Sequence, residues 1–388
     1  KLLFKMKNIE HNYLPRQYEV TNELPINHNY LQQQFKNSEK IFKEIKELVM
    51  KGDFTLGNAV NELEEEFKKI TSSKFAIGVG SGTDAIFLSL KALGVGEGDE
   101  VITTPYTFFA TIGAIVTAGA RPKFVDIGLD YNIDPSKIEN SISNKTKAIL
   151  PVHWSGLICD MESISEIARK HGLPVIEDAC HAINAKKMGQ AAGALGSTAC
   201  FSMHPLKNLN VWGDGGMIVT NDEKIHDKLV LLRNHGLVNR DVCETFAYNS
   251  RLDTIQAIVG NHLIKNIDQI TEARIINAKY FDRKLSKISQ VSIPRRLKHD
   301  RQVFHIYVIR VSERDNLQKF LIKNGIDAKI HYPIPMHLQP AAKIFGYTAG
   351  DFPVAETVCN EVISLPVHEF ISKEQREFVV QKIEEFYS

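Results

Sequence analysis

Cysteine is scarce in this sequence of 388 residues: there are five (Cys159, Cys180, Cys200, Cys243, Cys359), an odd number, and no two are spaced as CxxC. A disulfide-stapled scaffold is therefore excluded, and reduced, mostly buried thiols in a cytoplasmic protein are the expectation. Long apolar runs are missing as well. No stretch reaches the roughly 18 apolar residues that a membrane helix needs, and the opening KLLFKMKNIEH is too short and too charged for a signal peptide. Neither sign of charge is in excess, with 47 basic against 46 acidic residues, which argues against nucleic acid or an anionic membrane as a bulk partner. Metal-ligand spacing is lacking too. His331 and His337 lie in a proline-rich loop without the i, i+4 spacing of a helical metal pair, so substrate contact is expected there and no metal.

The length suits two or three domains. Residues before about Asn27 are polar and read as an N-terminal arm, 1–26; the echo of HNYLPRQYEV in HNYLQQQFKN falls short of the three or so copies a repeat fold needs. Ile41, Phe42, Ile45, Leu48 and Val49, then Val60, Leu63, Phe67 and Ile70, recur with helical spacing, predicting two amphipathic helices about a turn at Gly57. Apolar strands at Phe75 to Val79, Glu100 to Thr103, Pro122 to Val125, Ala148 to Val152 and Leu173 to Glu177 then alternate with helical segments, including one near Pro135 to Ser143. Such alternation predicts a mostly parallel sheet flanked by helices. This large α/β domain is expected over 27–270. Beyond it the pattern changes to a strand at Phe304 to Val311, a helix to Asn324, a short strand at Ala328 to His331 and two more helices, a smaller α+β domain over 271–388.

One stretch concentrates the chemistry. In TACFSMHPLKNLNVWGDGGMIVT, Thr198 to Thr220, two β-rich segments bracket a loop holding Lys207 among Pro205, Trp212, Gly213, Gly215 and Gly216. Burial or a neighbouring cation lowers a lysine pKa and leaves an amine that condenses with aldehydes. Pyridoxal phosphate is the commonest such aldehyde in biology, and it needs a carboxylate for its ring nitrogen, a phosphate cradle and a flat group over the ring. PVIEDACHA ends an apolar strand in Glu177 and Asp178, a carboxylate that needs a positive partner, either a pyridinium or an unrelated Lys or Arg. Gly80, Ser81, Gly82 and Thr83 lie between a strand and a helix, where amide groups favour an anion, although many α/β folds have such a turn for purely structural reasons. Phe108 or Phe109 could cover a ring or belong to the core. Arg233, Arg240, Arg251 and Lys329 are candidates for a diphosphate, or equally for surface ion pairs.

Taken together, SGTDA (from Ser81), PVHWSG (from Pro151), VIEDACHA (from Val175), FSMHPLKNLNVWGDGG (from Phe201), LRNHG (from Leu232), NSRLDTIQA (from Asn249) and HYPIPMHLQPA (from His331) resemble the DegT/DnrJ/EryC1/StrS sugar aminotransferases, in order from about Asn27 onward. The resemblance implies a fold type I enzyme with pyridoxal 5′-phosphate as cofactor. It implies that Lys207 carries the cofactor as a Schiff base, that Asp178 faces the pyridine nitrogen, and that His181 lies near the phenolic oxygen. By the same resemblance Phe108 packs on the ring, Gly82, Thr83 and Ser202 bind phosphate, and Asn249 binds phosphate from the neighbouring subunit of a homodimer with shared sites. His305, His331 and His337 fall in segments used near the sugar nucleotide, with Arg233 and Arg251 as further substrate candidates. The implied reaction moves an amino group from L-glutamate to a nucleotide-linked keto sugar, with the HYPIPMHLQP form pointing to a 3-keto sugar, and makes an amino sugar for glycan or secondary-metabolite biosynthesis. A branch with histidine at the lysine position dehydrates instead, and Lys207 favours transamination; a dehydratase and a non-catalytic regulatory member are the competing readings. No resemblance extends to the arm before Asn27.

Overall fold

The computed structural model describes residues 25–388, so the expected arm lies outside the described residues apart from Pro25 and Ile26. Two amphipathic helices, α1 (Glu39–Lys51) and α2 (Asn58–Thr71), precede the sheet. Strand β1 (Phe75–Val79) is followed by helix α3 (Gly82–Ala92), β2 (Glu100–Thr103), α4 (Phe109–Thr117), β3 (Arg121–Phe124), β4 (Thr146–Ile149), α5 (Met161–His171), β5 (Ile176–Asp178), β6 (Thr198–Ser202), β7 (Gly216–Thr220) and α6 (Glu223–Arg233). Strands β1-β7-β6-β5 form one ladder and β4-β2-β3 another. Parallel bridges Ile149↔Val175 and Val152↔Asp178 join them into a continuous sheet. Only β7 runs against its neighbours, pairing antiparallel with β1 and β6. Strands of this sheet are covered on both faces, which is why Val79, Val101, Ile176 and Ile218 are buried apolar residues without polar alternation.

Helix α7 (Thr254–Ile264) packs on α2. The next helix, α8 (Ile267–Leu285), runs from one apolar core into another: Ile267 belongs to the core under the sheet, while Ile275, Ala278, Phe281 and Leu285 belong to a second. That second core is closed by the antiparallel strands β8 (Val291–Ser292), β9 (Tyr307–Val311) and β10 (Val362–Leu365) and by helices α9 (Arg314–Lys323) and α10 (Lys373–Tyr387). Ile26 also sits in it: its amide donates to Gly325 O (3.1 Å) and its carbonyl accepts from Asp327 N (2.9 Å).

Local differences from the sequence reading have local causes. The helix expected near Pro135 to Ser143 is two 3₁₀ turns, Pro135–Lys137 and Glu139–Ser141, in a stretch where Asp134 and Ser136 bond each other instead of supporting an α-helical ladder. The strand expected at Ala328 to His331 is a single bridge, Lys329↔Ser364. In α1 the apolar stripe is wider than the buried face: Ile41 and Leu48 are buried, whereas Phe42 and Val49 are 59% and 52% exposed.

Candidate active site

The parallel strands deliver their C-terminal ends to one place, where an open α/β sheet binds its ligand. After β1 the chain turns through Gly80 and Ser81 into α3, and Ser81 caps that helix by accepting from the Asp84 amide at 3.0 Å. The amide groups at the start of α3, at Gly82 and Thr83, therefore face the cavity as an anion cradle. Gly82 is required there, since a Cβ on it would come within 2.6 Å of the Ser202 Cβ. Ser202 ends β6 and lines the same cavity, of about 350 Å³.

Asp178 and Glu177 end β5 and do different work. Glu177 is withdrawn from solvent and accepts from the amides of Gly193 (2.9 Å), Leu195 (2.9 Å) and Gly196 (2.6 Å), and its Oε2 is 2.9 Å from His153 Nε2. It is a buried charge satisfied entirely by its own surroundings. Asp178 faces the cavity, where its Oδ2 accepts from the Thr111 hydroxyl (2.7 Å), itself 2.8 Å from the Thr107 hydroxyl, and its Oδ1 accepts from the Cys180 amide (3.2 Å). These bonds fix the carboxylate and leave lone pairs for a cationic partner.

Lys207 lines this cavity too. Withdrawal from solvent holds its ammonium below the ordinary lysine range, against the opposing pull of Cys180 and Asp178. The rings of His181 and His305 lie 4.3 Å apart between centroids, tilted by 41°, and the Nδ1 of each is buried with no hydrogen-bond partner. Desolvation, followed by Lys207, pushes both rings well below the usual histidine value, so they are neutral. His331 is lowered to about 3, chiefly by burial and then by His28, Lys329 and Lys207; its Nδ1 is 2.9 Å from the Ser364 hydroxyl. The HWSG loop sets His305 in place: Ser155 O accepts from the His305 amide (3.2 Å), and Gly156, at φ +88°, passes so close to Val303 and the His181 carbonyl that a Cβ would collide.

Lys207, Asp178, Gly82, Thr83, Phe108, His181, Ser202, His305 and His331 thus line one cavity, and Phe108 stands at its edge 46% exposed, 5.7 Å from the Tyr332 ring. Other candidates lie elsewhere. Arg233 is committed to the frame, with Nη1 donating to Glu64 Oε1 (2.6 Å) and Gly78 O (3.1 Å), so the diphosphate role expected of it is not supported. His337 is buried against Phe352 with Nε2 3.0 Å from Glu356 Oε1, outside the cavity lining. Lys329 pairs with Asp327 at 2.7 Å. Arg251 donates to Asn234 Oδ1 (3.2 Å), Asn249 and Arg240 are exposed, and none of these three lines the cavity. Sequence reasoning passed over Thr107, Thr111, Cys180, His204, Asp214 and Tyr332, which also line it. A usable signal existed for the threonines: an i, i+4 pair astride a helix start aims both hydroxyls along one face.

A flat, anionic, aldehyde-bearing ring fits these residues: an amine below its usual pKa, a fixed carboxylate, orphaned imidazole nitrogens and a glycine-floored cradle face one cavity. Comparisons with known proteins agree. Residues 36–384 match the model of the DegT/DnrJ/EryC1/StrS aminotransferase family. A protein of Geobacillus stearothermophilus named as a pleiotropic regulatory protein is 44% identical over 90% of this chain and 94% of its own. The UDP-N-acetyl-3-dehydro-α-D-glucosamine 3-aminotransferase of Acidithiobacillus ferrooxidans is 39% identical over 87% of this chain and 91% of its own. Among solved structures, DesV of S. venezuelae in complex with a ketimine intermediate superposes with a TM-score of 0.91 at 34% identity, covering 94% of this chain and 98% of the other. NtdA of Bacillus subtilis, with the cofactor PMP bound, gives 0.86 at 30% identity over 93% and 84%. The chain belongs to the DegT/DnrJ/EryC1/StrS aminotransferase family, and its cofactor is pyridoxal 5′-phosphate.

Proposed function

We propose that this protein transfers an amino group from L-glutamate to a 3-keto sugar carried on a nucleotide diphosphate, within a homodimer whose sites are shared. The observation that carries the reading is the gathering of Lys207, Asp178 and the Gly82–Ser202 cradle around one cavity. Lys207 would hold the cofactor, Asp178 its ring nitrogen, Gly82, Thr83 and Ser202 its phosphate, Phe108 its face and His181 its phenolic oxygen, with Asn249 reaching the phosphate of the neighbouring subunit. Pyridoxal phosphate, when bound, accepts the electron pair left on an amino-acid Cα and carries the amino group between substrates. Lys207, an amine held below its usual pKa, would take the proton from the donor's Cα and return one to the accepting carbon. Thr111 and the Cys180 amide hold the Asp178 carboxylate in place, where it would face the ring nitrogen. Neutral His331, whose Nδ1 is taken by the Ser364 hydroxyl, would offer Nε2 to a sugar hydroxyl, with the neutral His305 ring lining the same cavity.

The name of the A. ferrooxidans relative, a 3-aminotransferase, supports the keto position. For the homodimer the support is the exposed apolar side chains of residues 238–248, with Phe246 100% exposed beside Asn249. The relative named as a regulatory protein favours a second reading, a member that regulates without turning over sugar. Borohydride reduction and peptide mapping test the first step: cofactor mass is expected on Lys207. Pyridoxamine-form protein is then offered 3-keto and 4-keto nucleotide sugars, and return of the visible band is expected with the 3-keto set. A band that returns only with 4-keto sugars overturns the position; a fixed adduct at Lys207 with no response to any keto sugar favours the regulatory reading.

A further inference from the structure

Tyr30 lies far from the sheet in sequence, yet it is 3% exposed and its hydroxyl donates to the backbone carbonyl of Lys207 at 3.2 Å. Asn210 Nδ2 donates to the same carbonyl at 3.0 Å. The Tyr30 ring lies 4.9 Å from the Arg274 guanidinium and is stacked 5.0 Å from the His368 imidazole. Arg274, on α8 and 1% exposed, extends the chain of contacts: its Nη1 donates to the carbonyls of Phe304 (3.3 Å) and His305 (3.4 Å), and its Nε to Glu369 (3.2 Å). Lys207 and His305 both face the cavity from segments outside helices and strands, where no regular ladder holds their carbonyls. Burial pushes the Tyr30 phenol up to about 12, so it stays a donor at any working pH.

We infer that Tyr30, with Arg274, is a positioning residue that ties the Lys207 backbone to the His305 backbone, fixing the lysine amine against the substrate-facing imidazole across the cavity. This rests on the reading of Lys207 as the cofactor-bearing lysine. Loosening one carbonyl lets the amine wander from the line on which it attacks the aldehyde and moves a proton, while the ring phosphate is held elsewhere, at Gly82 and Ser202. The tether therefore acts on whichever cofactor form bonds to Lys207 and not on the form that does not.

Tyr30→Phe keeps the ring between Arg274 and His368 and removes only the hydroxyl. Affinity for pyridoxal phosphate, measured by equilibrium dialysis of cofactor-free protein, is expected to fall about three- to tenfold, the range of one lost hydrogen bond. Affinity for pyridoxamine phosphate, which forms no bond to the lysine, is expected to be unchanged, and kcat to fall with KM held. Asn210→Ala, which removes the other donor to the same carbonyl, carries the same expectation should Tyr30→Phe not fold. Equal weakening of both forms, or an unchanged ratio between them, overturns the tether. Lys207→Ala separates the two readings: if the wild-type preference for the pyridoxal form survives that substitution, the lysine assignment has failed; if it vanishes while Tyr30→Phe keeps the wild-type ratio, only the tether has failed.

Discussion

Asp178 is gripped by a hydroxyl and an amide from its own chain, whereas the hairpin of residues 234–250 turns Val238, Val242, Phe246 and Tyr248 to solvent. The two regions are nonetheless linked: Ser250, which ends the hairpin, accepts from the Gly80 amide (3.2 Å) and donates to Asp84 (2.8 Å) at the cradle. The contrast teaches that one side of the site is complete within a single chain, while the other ends in an exposed apolar surface, the face that the proposed homodimer would cover. Self-sufficient parts should respond to substitution in any oligomeric state, and the unfinished part only when subunits meet.

The largest effect should come from the complete side. Lys207→Ala is expected to lower the transamination rate by at least about a thousandfold, because the proposed nucleophile and proton carrier vanish together. An assay with purified protein and glutamate that finds most activity intact would sink the contrast at once. Asp178→Asn comes next, with a loss of roughly a hundredfold to several thousandfold, taking the removal of one partner from the proposed buried ion pair as about 3–5 kcal/mol; stopped-flow half-reactions with glutamate measure it. For the unfinished side, Lys207→Ala and Asn249→Ala subunits, each inactive alone, are mixed and allowed to exchange. Random pairing should restore about a quarter of wild-type activity if the sites are shared. No recovery despite verified exchange would put Asn249 in its own chain's site.

Smaller effects probe the frame. Arg233→Gln leaves Glu64 without its partner in a mostly buried pair, so melting should drop by several degrees, in line with a loss of about 3 kcal/mol, with cofactor affinity kept within about twofold. A cofactor affinity that collapses instead would return Arg233 to the site. Acid is the gentlest probe. Burial, the largest influence, lowers His28 to about 4 and His331 to about 3, so the folded chain refuses protons that the unfolded chain accepts from about pH 6.5 downward. Stability is then fully present above that value and falls as pH drops toward 4. Melting temperature should be lower at pH 5 than at pH 7.5; equality would mean that these rings are more solvated than the fold implies.

Much of the sheet was legible because its strands are buried on both faces and read as apolar runs flanked by glycine, with Gly80 after Phe75–Val79 and Gly196 just before Thr198–Ser202. The parts of the site that face inward were legible for the same reason: a charged residue at the end of such a run, Asp178, or inside a glycine-rich turn, Lys207, stands out against its neighbours. Arg233 and His337 were not legible, since whether a cation meets a diphosphate or Glu64, and whether an imidazole meets a sugar or Glu356, depends on contacts remote in sequence. The Phe42 side of α1 misled for another reason. Periodicity reports every apolar position of a helix, and both a core face and a face exposed in one chain contribute to it. Tyr30 had no signal at all, because a single tyrosine in a polar stretch announces neither burial nor a partner.

Ile26 and His28 are seated by residues near 326, and the His28 amide reaches Asp327 across 299 positions of chain. A ribosome adding roughly 5–20 residues per second would make that segment about 15–60 s before its seat exists. The first described stretch to be translated is therefore among the last to settle, and the Lys207 loop it touches takes its final shape only after the far end of the polypeptide has been made.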